Sequence, residues 1–121
     1  MRTIFVVDDS PTVLLSLKNL LEMHGFKVET ASDGKEALEK LECGVKPDLI
    51  ITDLNMPGMD GFEFIKRVRQ LKEFRFKPIL VLTTESQLQK RQEARRLGAT
   101  GWLVKPVSGK ELVKVIEKVL S

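Results

Sequence analysis

Two kinds of segment alternate along this chain from one end to the other. Short apolar runs stand at Ile4–Val7, Leu49–Ile51, Ile79–Leu82 and Trp102–Val104. They are rich in Ile, Val and Leu and almost unbroken, as strands are when both faces of a parallel sheet are covered. Lys27–Ala31 alternates polar and apolar instead, as a half-exposed edge strand does. Between the runs lie helical patterns. Val13, Leu14, Leu17, Leu20 and Leu21 recur at helical spacing, with Ser10 as N-cap, Pro11 at the first helical position and Gly25 able to end the helix. Leu38 and Leu41 mark a second helix after Asp33-Gly34, and Phe62, Ile65 and Val68 a third after Asp60-Gly61. The fourth, about Gln87 to Leu97, is polar and basic, with Leu88, Ala94 and Leu97 expected to be buried. Leu112, Val115, Ile116, Val119 and Leu120 give the last helix a broad apolar stripe.

The order is β-α five times over, which predicts an α/β fold with a parallel sheet. Right-handed crossovers place helices on both faces. The 121 residues suit one domain, 1–121, without repeat or linker. A composition 42% hydrophobic and 31% charged fits a globular protein and argues against disorder. No apolar run approaches the roughly 20 residues of a membrane span, and no signal peptide opens the chain, so a cytoplasmic location is expected. The one cysteine, Cys43, cannot form an intrachain disulfide. The net charge of +3 is mild, and no basic block with interleaved aromatics points to nucleic acid.

In open parallel sheets, sites form at the carboxyl ends of the strands. Those ends carry Asp8-Asp9 after the first strand, Asp53 after the third, Thr83-Thr84 after the fourth and Lys105-Pro106 after the fifth. Taken singly, each has an ordinary role: aspartates form turns, threonines are structural, lysines point to water. Together they bring three carboxylates, a hydroxyl and an ammonium to one rim. One carboxylate pair at about 4 Å costs about 4 kcal/mol at an effective dielectric near 20. Lys105 offsets part of this, and a hard cation such as Mg²⁺ would offset more. Magnesium also binds phosphate, and a carboxylate can serve as nucleophile to form an aspartyl phosphate.

These residues lie in longer motifs: Val6-Val7-Asp8-Asp9-Ser10, Asp48 through Asp53 to Gly61, Leu82-Thr83, and Gly98 through Lys105-Pro106. With them the chain resembles bacterial response-regulator receiver domains over nearly its whole length, and within these the stand-alone chemotaxis regulators of the CheY type. The resemblance implies a flavodoxin-like, doubly wound sheet of order 2-1-3-4-5 with five helices. It implies Asp53 as phosphoacceptor; Asp9, Asp53 and the Asn55 carbonyl as Mg²⁺ ligands, with Asp8 assisting; and Lys105 and Thr83 as ligands of phosphoryl oxygens. Trp102 takes the place of an aromatic that changes rotamer with Thr83, where the best-known chemotaxis members have Tyr. Thr84 is larger than the Ala or Gly often found beside the switch Thr. A cis Lys105-Pro106 bond is also implied. Asn55 and Glu85 hold the positions that tune phosphoryl lifetime, with loss in seconds rather than hours expected.

The implied partners are a sensor histidine kinase, an effector such as a flagellar motor switch component, and a phosphatase. The protein would not be an enzyme beyond catalysing its own phosphorylation and dephosphorylation. His24, the lone histidine, sits at a helix end, so the phosphodonor histidine belongs to the kinase. No output domain follows Ser121, so the output is expected to be a protein contact. Lys90, Arg91, Arg95, Arg96, Lys110 and Lys114 would make that face basic. The alternative output is a phosphorelay intermediate or phosphate sink. A nucleotide or flavin binder would need a phosphate loop where Asp8-Asp9-Ser10-Pro11 stands. A phosphatase using an aspartyl intermediate would need an Asp-x-Asp pair and a cap, and the chain offers neither.

Overall fold

The computed structural model describes residues 1–121. Its strands are β1 (Thr3–Val7), β2 (Lys27–Ala31), β3 (Leu49–Thr52), β4 (Ile79–Thr83) and β5 (Gly101–Val104). Its helices are α1 (Pro11–Met23), α2 (Gly34–Glu42), α3 (Gly61–Gln70), α4 (Leu88–Leu97) and α5 (Gly109–Leu120). A single 3-10 turn, Lys72–Phe74, follows α3. All pairings are parallel and the strand order is β2-β1-β3-β4-β5.

The helices begin where the sequence provides caps. Ser10 Oγ accepts the Val13 N–H at 3.3 Å, Asp33 Oδ1 that of Glu36 at 2.7 Å, and Asp60 Oδ1 that of Glu63 at 2.9 Å. Ser108 Oγ does the same for Glu111 at 3.1 Å. Each satisfies an N–H that the first turn would otherwise leave without a partner. α4 has no such cap.

Alternate strand residues feed two cores. Ile4, Val6, Leu49, Ile51, Leu80 and Leu82 face α1 and α5, where Leu17, Leu21, Leu112 and Ile116 meet them. Phe5, Val7, Ile50, Ile79 and Val81 face α2, α3 and α4, packing with Leu38, Leu41, Phe64, Ile65, Val68 and Ala94. Covering both faces explains the unbroken apolar runs.

Two expectations are corrected. Leu88 is 65% exposed rather than buried, and α4 buries Ala94 alone. Leu88 is the first residue of α4, and helical side chains lean toward the N-terminus, here toward a loop instead of the core. β5 reads as a covered strand, yet it is an edge strand, half-buried, with Val104 exposed.

Candidate functional site

The register aligns the strand ends that matter. Val7 pairs with Thr52, Thr52 with Val81, and Thr83 with Val104. The residues just beyond are therefore held side by side on one rim. Asp8 and Asp53 are buried at 3% and 8% exposure, while Asp9 is exposed. Their carboxylates can each present an oxygen within 4.8 Å of the others.

Lys105 spans two of the three. Its Nζ donates to Asp8 Oδ2 at 2.7 Å and to Asp53 Oδ2 at 3.2 Å. Burial disfavours the charged ammonium, but the bonds and charges of Asp8 and then Asp53 outweigh it and hold its pKa above the ordinary lysine value. The Lys105–Pro106 bond, at the start of the loop into α5, is cis.

Backbone amides fix the other oxygens. Asp53 Oδ1 accepts from Leu54 N–H at 2.6 Å and from Asn55 N–H at 3.4 Å. Asp8 Oδ1 accepts from Ser10 N–H at 2.9 Å. The Thr52 hydroxyl donates to the Asp53 carbonyl at 2.9 Å. The Asn55 carbonyl accepts no hydrogen bond within the chain. One ammonium against three carboxylates leaves the rim net negative, and its free donors are all hard oxygens. That set fits a divalent cation such as Mg²⁺.

The remaining sequence-derived residues divide. Thr83 is fully buried, and its Oγ1 accepts from Glu85 N–H at 3.3 Å, so its own proton stays available. Its hydroxyl makes no hydrogen bond to Asp53 or Lys105, while its carbonyl accepts from Lys105 N–H at 2.7 Å. Thr84 beside it is exposed. Glu85 is tied to α4: Oε2 accepts from Lys90 Nζ at 3.0 Å and Oε1 from Gln87 N–H at 3.1 Å. The Lys90 bond foremost, then the Gln87 amide, lowers its pKa. Of the basic face, Lys90 is thus neutralised by Glu85 and Arg96 by Glu93 at 2.6 Å. Arg91 and Arg95 remain unpaired and, with Ala94, Thr100 and Trp102, line a cleft of about 160 Å³. Trp102 is half-buried against the α2–α4 core.

Gly61 reads in the sequence as the start of α3, and the structure gives it a second role. A Cβ there would collide with the Asp53 carbonyl and come within 2.6 Å of Leu54 Cα. The N-terminus of α3 is seated directly on the backbone that carries Asp53, with Gly61 N–H donating to Leu54 O at 2.9 Å. Gly61, eight positions after Asp53, is visible in the sequence; only the packing shows why it must lack a side chain.

Residues 4–117 match the response regulator receiver domain family. The chain belongs to that family. This receiver domain is 37% identical to protein PilH of Pseudomonas aeruginosa, with 100% of the chain and 99% of the relative covered. It is 37% identical to chemotaxis protein CheY-3 of Vibrio cholerae, covering 96% of the chain and 89% of the relative. The solved structure of Vibrio cholerae CheY4, a chemotaxis response regulator, superposes on the receiver with a TM-score of 0.93 at 47% identity over 99% of both chains. The relatives include single-domain CheY-type regulators, and the receiver belongs to two-component signalling.

Proposed function

We propose that this receiver accepts a phosphoryl group on Asp53 from a histidine kinase and thereby switches its affinity for an effector protein. The observation that carries this is Lys105 held between Asp8 and Asp53 on a carboxylate-rich rim. Amides restrain Asp53 Oδ1, leaving Oδ2 as the nucleophile. Oδ2 attacks phosphorus of the kinase phosphohistidine; a P–O bond forms as the P–N bond breaks, and the imidazole leaves with a proton. Asp8, Asp9, Asp53 and the Asn55 carbonyl would hold Mg²⁺, which when bound neutralises carboxylate and phosphoryl charge. Lys105 Nζ transfers its bond from Asp53 to a phosphoryl oxygen.

The product carries nearly two extra negative charges and three acceptor oxygens. Thr83 has an unspent proton and gains a partner in this state alone, which is the differential contact a two-state shift requires. Its inward turn empties space toward β5, and Trp102 responds. Asn55 and Glu85 tune the hydrolysis that returns the domain to its first state; Glu85 must release Lys90 to do so. The domain acts on itself and is not an enzyme toward other substrates. A cytoplasmic protein in chemotaxis fits the relatives named for it, and no helix is long and apolar enough to cross a membrane. Arg91 and Arg95 suit an acidic effector surface such as a flagellar motor switch component. A relay or phosphate-sink role is the alternative output.

The test is incubation with acetyl phosphate and Mg²⁺, followed by intact mass and Trp102 fluorescence. The parent should gain one phosphoryl group and change its emission, and Asp53→Asn should do neither. A parent that stays unmodified, or an Asp53→Asn variant modified as fast, would overturn the assignment.

A further inference from the structure

The end of the molecule opposite Asp53 carries a feature the phosphorylation chemistry leaves unused. Between α3 and β4 the chain runs Leu71-Lys72-Glu73-Phe74-Arg75-Phe76-Lys77. Its two phenylalanines have opposite fates. Phe74 is buried at 3% exposure, whereas Phe76 is 90% exposed. Single exposed apolar residues are ordinary, but this one is held out on a stiff support. Arg69 Nη1 donates to both the Phe74 and Lys77 carbonyls at 2.6 Å, clasping the two ends of the turn on which Phe76 stands.

The turn just before Phe76 helps form a cleft of about 220 Å³, lined by Leu41 and Glu42 at the end of α2 and by Leu71, Lys72, Glu73 and Phe74. Leu41, Leu71 and Phe74 supply its apolar part, and the two carboxylates of Glu42 and Glu73 outnumber the one ammonium of Lys72. Glu42 and Glu73 are exposed and take no part in any ion pair of the chain, and neither does Arg75 next to Phe76. An apolar knob with a cation at its side thus stands two residues along the chain from a part-apolar cleft whose edge carries more anions than cations. Knob and cleft on one patch are self-complementary, which is what a two-fold, isologous contact demands.

We infer that two copies of this chain associate through this end, Phe76 of each entering the Leu41–Leu71–Phe74 cleft of the other and each Arg75 meeting the partner's Glu42 and Glu73. One turn and one helix end make a small contact, below the area of permanent dimers. The dimer is weak, with a Kd on the order of 0.1 mM. Its interface lies at the strands' amino ends, away from the phosphorylation rim, so the association is independent of the phosphoryl state.

Sedimentation velocity from about 10 µM to 1 mM, with and without beryllofluoride plus Mg²⁺, tests this. The expected result is a concentration-dependent dimer, equal in both conditions. Phe76→Ala, at an exposed position that leaves the thermal melt unchanged, should weaken it about 100-fold, tenfold for each of two anchors. Arg75→Glu should weaken it, and the charge-swapped triple variant Arg75→Glu, Glu42→Arg, Glu73→Arg should restore it. A spin label on Cys43, exposed at the end of α2, should show dipolar broadening in the dimer that Phe76→Ala removes. A chain that stays monomeric at 1 mM, a dimer that survives Phe76→Ala, or one formed only with beryllofluoride would overturn the inference.

Discussion

Replacing Lys105 with Met removes the ammonium while keeping an unbranched stem of similar reach. In the parent, Nζ lies 2.7 Å from Asp8 and 3.2 Å from Asp53. At an effective dielectric near 20 these separations correspond to gross attractions of about 6 and about 5 kcal/mol. Most of that repays the desolvation of the charges, and the lysine side chain is still 20% exposed. A net loss of about 2 kcal/mol remains, because Asp8 and Asp53 are left buried and facing each other. For a domain of this size that is about 8 °C in melting temperature. The assay is thermal or urea unfolding with EDTA and then with about 10 mM Mg²⁺. Three carboxylates and no lysine attract a divalent cation more strongly than three carboxylates and one, so Mg²⁺ should stabilise the variant more than the parent and narrow the gap. The pH dependence follows from the raised pKa. The contribution of Lys105 is fully present below its ordinary value of 10.5 and is lost as pH rises through the higher folded value. Parent and variant should therefore differ by a constant amount at neutral pH and converge above about pH 10.5. A variant melting within about 2 °C of the parent in EDTA, or a gap that Mg²⁺ leaves untouched, would refute the charge-balance account.

Three other substitutions probe the neighbouring features. Gly61→Ala must push α3 off the Asp53 backbone, so we expect a loss of about 2–3 kcal/mol in urea unfolding and slower phosphorylation by acetyl phosphate; a stable, fully active variant would show the contact to be soft. Lys90→Met frees Glu85 from its ion pair and should shorten the phosphoryl lifetime about twofold to fivefold, an effect of under about 1 kcal/mol read by phosphate release; an unchanged lifetime would remove Glu85 from hydrolysis. Arg69→Ala deprives the Phe74, Lys77 and Gly98 carbonyls of their donor and should cost about 2–3 kcal/mol, with hydrogen exchange rising first in the turn between α3 and β4.

Much of the architecture is legible in the chain because local and global signals agree. Ser10, Asp33 and Asp60 read as caps and act as caps. Strand runs read as buried because helices do cover both faces. The strand-end residues Asp8, Asp53 and Lys105 meet because a parallel sheet delivers all its carboxyl ends to one side. The failures occur where a neighbour distant in sequence decides. Leu88 and Leu97 look alike as periodic apolar residues, yet Leu88 overhangs a loop. Phe74 and Phe76 sit two apart in a polar stretch, and nothing in that stretch says which is buried. Arg69 lies in the last turn of α3, and the Gly98 carbonyl that it bonds lies 29 residues on. Burial lowers its pKa, since no carboxylate answers the charge. Glu85 and Lys90 are near in sequence, but a pair across the start of an uncapped helix has no periodic signature.

The single buried residue of α4 has a bearing on where a signal can travel. α5 is nailed to the sheet by Leu112, Val113 and Ile116, whereas α4 rests on Ala94 and a half-buried Leu97. An alanine buries little apolar surface, so re-seating α4 costs far less than the roughly 1.5–3 kcal/mol that each large aliphatic side chain of α5 would demand. The hydrogen bond or two proposed for Thr83 in the phosphorylated state would be of that smaller size. The helix is, in effect, the loosest tile in the wall, next to where the push proposed at Thr83 would arrive; a small force there would tilt it while the rest of the masonry stays put.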